Sequence, residues 1–249
     1  MFCELAAKRT SFRVCKRQPE KVAIGRRQAA HSKGGNMPKQ AIQAFTNERK
    51  IPYLMHFTRA PNLPLIMKYG LYPIGRVHEI GITPQINDQL RLDGHRSSTS
   101  LSIAFPNCRM LWKYRMENEG IYWAILVLDP SILWTKTCAF CRHNAADGRI
   151  SNQPIASLMT PQAFSGMFDE IDGLASRDEQ KLKLCDPTDV QAEVLVFDVI
   201  EPHYIIGVVF ETNKTRDAYT PHLGDRKTYV HPNNKGVFAT RKYARLVHQ

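Results

Sequence analysis

The stretch from Ile121 to Leu128 (Ile-Tyr-Trp-Ala-Ile-Leu-Val-Leu) is the longest apolar run in the chain, and Asp129-Pro130 ends it. A membrane-spanning helix needs about 20 apolar residues, so this run is far too short to cross a bilayer. It reads as a buried strand. Four other segments also read as strands: Ile51 to Phe57, Ser100 to Phe105, Ala192 to Val199 and Tyr204 to Glu211. Glu201-Pro202 separates the last two.

Helical patterns fill part of what lies between. Pro61 to Tyr69 puts Leu63, Ile66 and Met67 at helical spacing, and Gly70 stands where a left-handed C-terminal cap would. A second helix is predicted over Asn107 to Asn118. Residues 71–100 follow neither period, carry Gly75, Gly81, Pro84 and Gly94, and read as a long loop with one helical turn. Loops of that length are commonly functional or disordered. Residues 130–190 read as irregular chain with short helices. Thr160-Pro161 has the form of an N-cap followed by proline, and Ser176 to Glu179 has capping-box spacing. No repeat is visible, strands and helices do not alternate as in a doubly wound sheet, and neither GxGxxG nor GxxxxGK[ST] occurs. The fold class expected is α+β.

Charge narrows the partners. Lys and Arg number 34 against 23 Asp and Glu, a net charge of +11, which favours a polyanion and nucleic acid first. Nine of the cations and only two acids lie in residues 1–36, so this arm holds seven of the eleven net charges. It has no sustained apolar period and ends in Ser32-Lys33-Gly34-Gly35-Asn36, the composition of a disordered segment. Three readings of it stand open: a stretch upstream of a natural start at Met37, a tail that grasps nucleic acid, and an Arg-rich transit peptide. The organisation expected is a basic arm over 1–36 and a single domain over 37–249. The C-terminal stretch interleaves Arg226, Lys227, Lys235, Arg241, Lys242 and Arg245 with Tyr229, Phe238 and Tyr243. That interleaving suits single-stranded nucleic acid, with a solvated terminal hairpin as the alternative. Six cysteines at irregular spacing and no Sec-type apolar core near the N-terminus fit reduced thiols, hence the cytoplasm.

Among reactive clusters, Cys138-Ala-Phe-Cys141-Arg-His143 has two thiols and an imidazole, but no second CxxC or HxxxH to complete a zinc site, so no metal is expected. GxSxG and HExxH are absent. Polar residues on apolar strands remain. Strand alternation puts Leu54, His56 and Thr58 on one face and groups Glu193 with Leu195 and Phe197. A buried carboxylate left unpaired costs several kcal/mol, so Glu193 needs a partner or a task.

These residues carry a resemblance. His56-Phe57-Thr58 with Asn62-Leu63-Pro64-Leu65-Ile66 and Gly70-Leu71 is similar to the opening of the DarT family of DNA ADP-ribosyltransferase toxins. So are Asn87-Asp88, Arg91-Leu92-Asp93-Gly94, Ser100 to Ile103 with Phe105-Pro106-Asn107, Leu128 to Ser131, Cys138 to Cys141, and Gln191 to Val196. The similarity runs over roughly residues 50–212. It implies an ADP-ribosyltransferase-like split β-core with an NAD+ cleft and surrounding short helices, acting on single-stranded DNA. It also implies a partner macrodomain antitoxin that removes the ADP-ribose. By matched position, Glu193 and Arg91 would be catalytic, and His56, Thr58, Asn62 and Arg91 would bind NAD+. Arg96 is the alternative to Arg91. The loop before the glutamate, Arg177 to Val190, would help choose the acceptor, and Phe105, Trp112 and Tyr114 are candidates for base stacking, with Trp112 equally readable as core.

The residue types suit the chemistry. Breaking the nicotinamide bond builds oxocarbenium character on the ribose, which a carboxylate on a ribose hydroxyl stabilises. An arginine fork fits the diphosphate, and a base reaches a cleft only when unpaired. Two other readings remain: a transferase of this fold acting on RNA or protein, and a non-catalytic basic nucleic-acid-binding module. Deleting residues 1–36 is expected to leave NAD+ turnover and the unfolding temperature nearly unchanged. If the arm is a DNA-grasping tail, the deletion should also flatten the salt dependence of DNA affinity, read by titration at several salt concentrations.

Overall fold

The computed structural model describes residues 37–81, 85 and 96–247. The basic arm and Arg91 lie outside them. Within the described residues seven strands form one mixed sheet: β1 (Leu54–Arg59), β2 (Thr99–Ile103), β3 (Trp123–Leu128), β4 (Cys138–Cys141), β5 (Glu193–Val196), β6 (Ile205–Phe210) and β7 (Lys227–Val230). Their order is β4-β5-β2-β1-β3-β6-β7, antiparallel throughout except for the β6–β7 pair. The α+β expectation holds, and each strand read from the sequence is present with ends shifted by one to three residues.

Tyr122 of the long apolar run is exposed, and Trp123 to Leu128 form β3, paired on both sides and buried along its length. Both of its faces are covered, which explains why it shows no polar alternation. Ala124, Leu126 and Leu128 join Leu54, Val208 and Phe210 in a core closed by helices Met37–Glu48, Leu63–Tyr69, Ile132–Thr135 and Pro161–Gly166. Trp123, Ile125 and Val127 face the other way, onto Leu111 of helix Cys108–Glu117 and onto Val237, Phe238 and Ala244. At the far end of the sheet, Ala139, Cys141 and Leu195 form a separate cluster with Ala145, Ile150 and Leu158. At about 1.5–3 kcal/mol per fully buried large apolar side chain, the first cluster, with residues from β1 through β6, ties both ends of the sheet together, and the two smaller ones pack on its other face.

Several local expectations need correction. Gly70 is not a left-handed helix cap: its φ is 94° and its ψ −176°, a region open almost to glycine alone. The reason is the next contact. Leu71 and Ile200 exchange backbone hydrogen bonds at 2.8 and 3.0 Å, and a Cβ on Gly70 would lie 2.4 Å from the Ile200 carbonyl oxygen. The capping-box residues do bond each other, Ser176 N to Glu179 Oε2 at 2.7 Å and Glu179 N to Ser176 Oγ at 3.2 Å, yet they close a turn and open no helix. Thr160, by contrast, accepts from Ala163 N and starts Pro161–Gly166 as read.

The C-terminal stretch is neither a hairpin nor, for the most part, a free row of cations. β7 runs parallel to β6 at the sheet edge, and helix Arg241–Leu246 follows. Arg226 donates to the carbonyls of Pro202, Ile205 and Leu223. Arg241 is buried and donates to the carbonyls of Pro187 and Thr188, while Arg245 grips both oxygens of the fully buried Asp186 at 2.7 and 2.6 Å. Burial lowers the Arg241 guanidinium to about 10, still protonated at neutral pH. Phe238 is core. Lys227, Tyr229, Lys235, Lys242 and Tyr243 stay exposed. Replacing Gly70 by Ala is expected to cost about 1–3 kcal/mol of stability, because it forces both the disfavoured backbone region and the clash with Ile200. Chemical denaturation of the two proteins measures the difference.

Candidate active site

β2 divides its residues between its two neighbours. Ser102 and Ile103 pair with Met55 and Leu54 of β1, whereas Thr99, Ser100 and Leu101 pair with Val196, Leu195 and Val194 of β5. Beyond Met55, β1 keeps its ladder to β3 but leaves β2. The sheet therefore splits, and a cleft opens between His56, Phe57 and Thr58 on one side and Ser98, Thr99 and Ser100 on the other. His56 spans the gap. Its Nδ1 lies 2.9 Å from the Ser100 carbonyl oxygen. A carbonyl only accepts, so Nδ1 carries a proton and donates it to this bond.

Asn62 and Glu193 face the same cleft from opposite walls. Asn62 is buried at the start of helix Leu63–Tyr69, and its amide is committed to the protein: Nδ2 donates to Thr58 Oγ1 at 3.1 Å and to the Gln85 carbonyl at 2.9 Å, and Oδ1 accepts from Gln85 N at 2.9 Å. It holds the backbone at residue 85 against the cleft wall as a neighbouring strand would. Glu193 opens β5 opposite Cys141. It is buried, as the alternation with Leu195 and Phe197 required, and it has partners. Asn144 Nδ2 donates to Oε1 and Ala145 N to Oε2, each at 3.1 Å. A carboxylate accepts about four hydrogen bonds, and these two donors orient it toward the cleft.

The wall also holds polar atoms that the protein leaves unsatisfied. Among the described residues Thr99 Oγ1 and Asn107 Nδ2 are buried without a protein partner, and both residues line the cleft. Buried polar atoms rarely go unpaired, so a ligand rich in hydrogen-bonding groups, such as a dinucleotide, fits this cavity. In the sequence Asn107 stands as a helix start and in the Phe105-Pro106-Asn107 motif, and the first role is real: its Oδ1 accepts from Met110 N. The same residue's Nδ2, and the parts played by Thr99, Asn144 and Ala145, had no signal in the sequence beyond Ser100-Leu101 and Cys138 to Cys141 standing close by.

The stacking candidates separate. Phe105 is core, with the Arg245 guanidinium 5.2 Å from its ring centroid. Tyr114 lines the cleft and lies parallel to the buried Trp123. Trp112 is not core: it is 60% exposed, between the exposed Arg109 and Lys113. Arg96 is exposed in a turn, its carbonyl accepting from Gly75 N at 2.7 Å. Cys138 and Cys141 point into different clusters on opposite faces of the sheet, so they cannot share an ion. Burial pushes the Cys138 thiol up to about 12, leaving it protonated at neutral pH.

Residues 55–237 match the family of the ssDNA thymidine ADP-ribosyltransferase DarT. The chain belongs to the DarT family. Among solved structures, it is similar to Thermus sp. 2.9 DarT in complex with ADP-ribosylated ssDNA (12% identity, TM-score 0.49, 73% of this chain and 95% of that one). Thermus sp. 2.9 DarT in complex with NAD+ is likewise similar (13% identity, TM-score 0.46, 73% and 96%). Thermosipho africanus DarTG in complex with ADP-ribose shares 15% identity at a TM-score of 0.46; the match covers 77% of this chain and about half, 51%, of that one. No curated protein matches. Among the described residues no helix is long and apolar enough to cross a membrane.

Asn62 offers a direct test of the cleft. Asn62→Asp keeps the acceptor for Gln85 N but sets a second oxygen against the Gln85 carbonyl. An unsatisfied or opposed buried polar group costs about 1–3 kcal/mol, so the KM for NAD+ should rise roughly 10- to 100-fold in a DarT transfer assay. An unchanged KM would separate Asn62 from the binding wall.

Proposed function

We propose that this chain transfers ADP-ribose from NAD+ to thymidine in single-stranded DNA, with Glu193 as the catalytic carboxylate. The convergence of His56, Thr58, Asn62 and Glu193 on one cleft, in a chain matching the DarT family over residues 55–237, carries this reading. NAD+ lies along the split between β1 and β2. His56 and Thr58 contact it directly, and Asn62 shapes the wall through Gln85. Thr99 Oγ1 and Asn107 Nδ2 supply further hydrogen bonds. Glu193 accepts from a ribose hydroxyl and so stabilises positive charge as the bond between C1″ and nicotinamide breaks. The bonding electrons leave with nicotinamide, neutralising its ring.

The nucleophile is N3 of thymine, the one ring nitrogen of that base that carries a proton in DNA. As the bond from N3 to C1″ forms, the N3 proton passes to Glu193 and on to water. The base must be flipped out or unpaired for N3 to enter the cleft. Helix Cys108–Glu117 flanks the entry, with Met110 and Tyr114 on the cleft wall and Arg109, Trp112 and Lys113 outside. The exposed indole between two cations gives neighbouring bases a stacking surface and phosphates their charge. Residues 177–190 lead into Glu193 and select the acceptor.

Arg91 supplies the arginine that clamps the NAD+ diphosphate. Residues 37–249 act as one catalytic domain, with residues 1–36 as an accessory arm. The reaction belongs in the cytoplasm, and because it marks DNA, it calls for a partner macrodomain that removes the ADP-ribose.

Purified protein incubated with labelled NAD+ and separate DNA, RNA and protein pools is expected to label single-stranded DNA, with the adduct on thymine by mass spectrometry. Glu193→Gln keeps the shape and loses the charge, so labelling should fall at least about 100-fold. Label on RNA or protein alone would overturn the DNA assignment, and tight DNA binding without turnover would favour a binding module. In the same assay Arg91→Lys, which keeps the charge but not the planar fork, should lose most transfer, whereas Arg96→Lys should be tolerated. The reverse pattern would exchange their roles.

A further inference from the structure

Glu193 is held by two stretches of chain that are distant in sequence and joined at one buried point. His143 Nδ1 lies 2.8 Å from Asp189 Oδ2, with the two side chains 6% and 10% exposed. The carboxylate accepts, so Nδ1 donates. His143 directly precedes Asn144 and Ala145, whose N–H groups fix the two oxygens of Glu193. Asn144 is itself set by Ala146 N, which donates to its Oδ1 at 3.0 Å. Asp189 begins the turn that delivers Glu193: its Oδ1 accepts from Gln191 N at 2.9 Å and its carbonyl from Ala192 N at 3.1 Å. Both of its carboxylate oxygens and its main chain are thus engaged in placing the residues just ahead of β5.

We propose that His143 and Asp189 are positioning residues for Glu193. Their bond sets the distance between the Asn144-Ala145 donors and the strand that carries the carboxylate, and so the direction in which Glu193 faces the cleft. The inference rests on Glu193 being the catalytic carboxylate. It differs from simple core stabilisation because the chain just upstream has anchors of its own. Arg177 donates to the carbonyls of Lys183 and Asp186 and to Thr188 Oγ1, Arg241 to the carbonyls of Pro187 and Thr188, and Arg245 to Asp186. Removing the His143–Asp189 bond leaves those contacts in place and frees only the last turn before Glu193. A displacement of about 1 Å at a reacting group is enough to cost roughly 100-fold in rate.

The test compares His143→Ala, Asp189→Ala, the double variant and His143→Asn with wild type and Glu193→Gln, measuring kcat, KM for NAD+ and unfolding temperature. The single alanine variants should lower kcat about 10- to 100-fold with KM within about 3-fold. The double variant should be no worse than the poorer single, because both remove the same bond. Asparagine places its Nδ2 near the position of the imidazole Nδ1, so His143→Asn should recover most of the lost kcat while His143→Ala does not. Wild-type kcat in both alanine variants beside an inactive Glu193→Gln overturns the positioning role and leaves the proposed function standing. A kcat loss that merely follows the loss of unfolding temperature, with no recovery in His143→Asn, overturns it too. Full turnover by Glu193→Gln removes the catalytic assignment and this inference with it.

Discussion

A five-residue strand shared between two neighbours decides the architecture of this protein. β2 gives its last residues to β1 and its first to β5. Backbone N–H and C=O groups that leave one partner must find another, because an unpaired buried group costs about as much as a lost hydrogen bond. β3 satisfies the edge of β1 that faces it and β5 that of β2, while the groups on the parted edges face the gap, where the Ser100 carbonyl accepts from His56 Nδ1. The gap between them is the cleft. His56 bridges it with a side-chain bond to the Ser100 carbonyl, which keeps the two half-sheets in register without closing the space.

The split also determines where charge can be tolerated. At the edge of the cleft the Glu193 carboxylate meets Asn144 and the backbone of Ala145 on one side and the cavity on the other. One apolar cluster runs under both half-sheets with a smaller one at either end, and the segment entering β5 is gripped by three arginines from outside the sheet. Rigidity around Glu193 therefore comes from polar anchoring of a loop more than from apolar packing of a strand.

The cations of the C-terminal segment show how composition misleads. Arg226, Arg241 and Arg245 look in sequence like a row facing a phosphate backbone, yet all three bind carbonyls or a carboxylate of their own chain. Arginine has five donors in a planar fork and can close several main-chain acceptors at once, a use that charge counting does not see. The exposed Trp112 errs the other way. Helical spacing made it readable as core, but Leu111 occupies the buried position of that helix.

Much of the plan is legible in the sequence because it depends on short-range pattern. The apolar run of β3, the alternation that sets Glu193 with Leu195 and Phe197, and the Thr160-Pro161 helix start follow from local periodicity and backbone preference, and they survive folding unchanged. The motifs around His56 and Glu193 were enough to point to the DarT family. What the sequence could not decide is every relation across the gap: the division of β2 between two strands, the use of Asn62 to hold Gln85, and the meeting of His143 with Asp189 behind the carboxylate. Each of these joins residues far apart along the chain by a single directional bond, which leaves no periodic trace. Such bonds exist only once the sheet has brought their ends together.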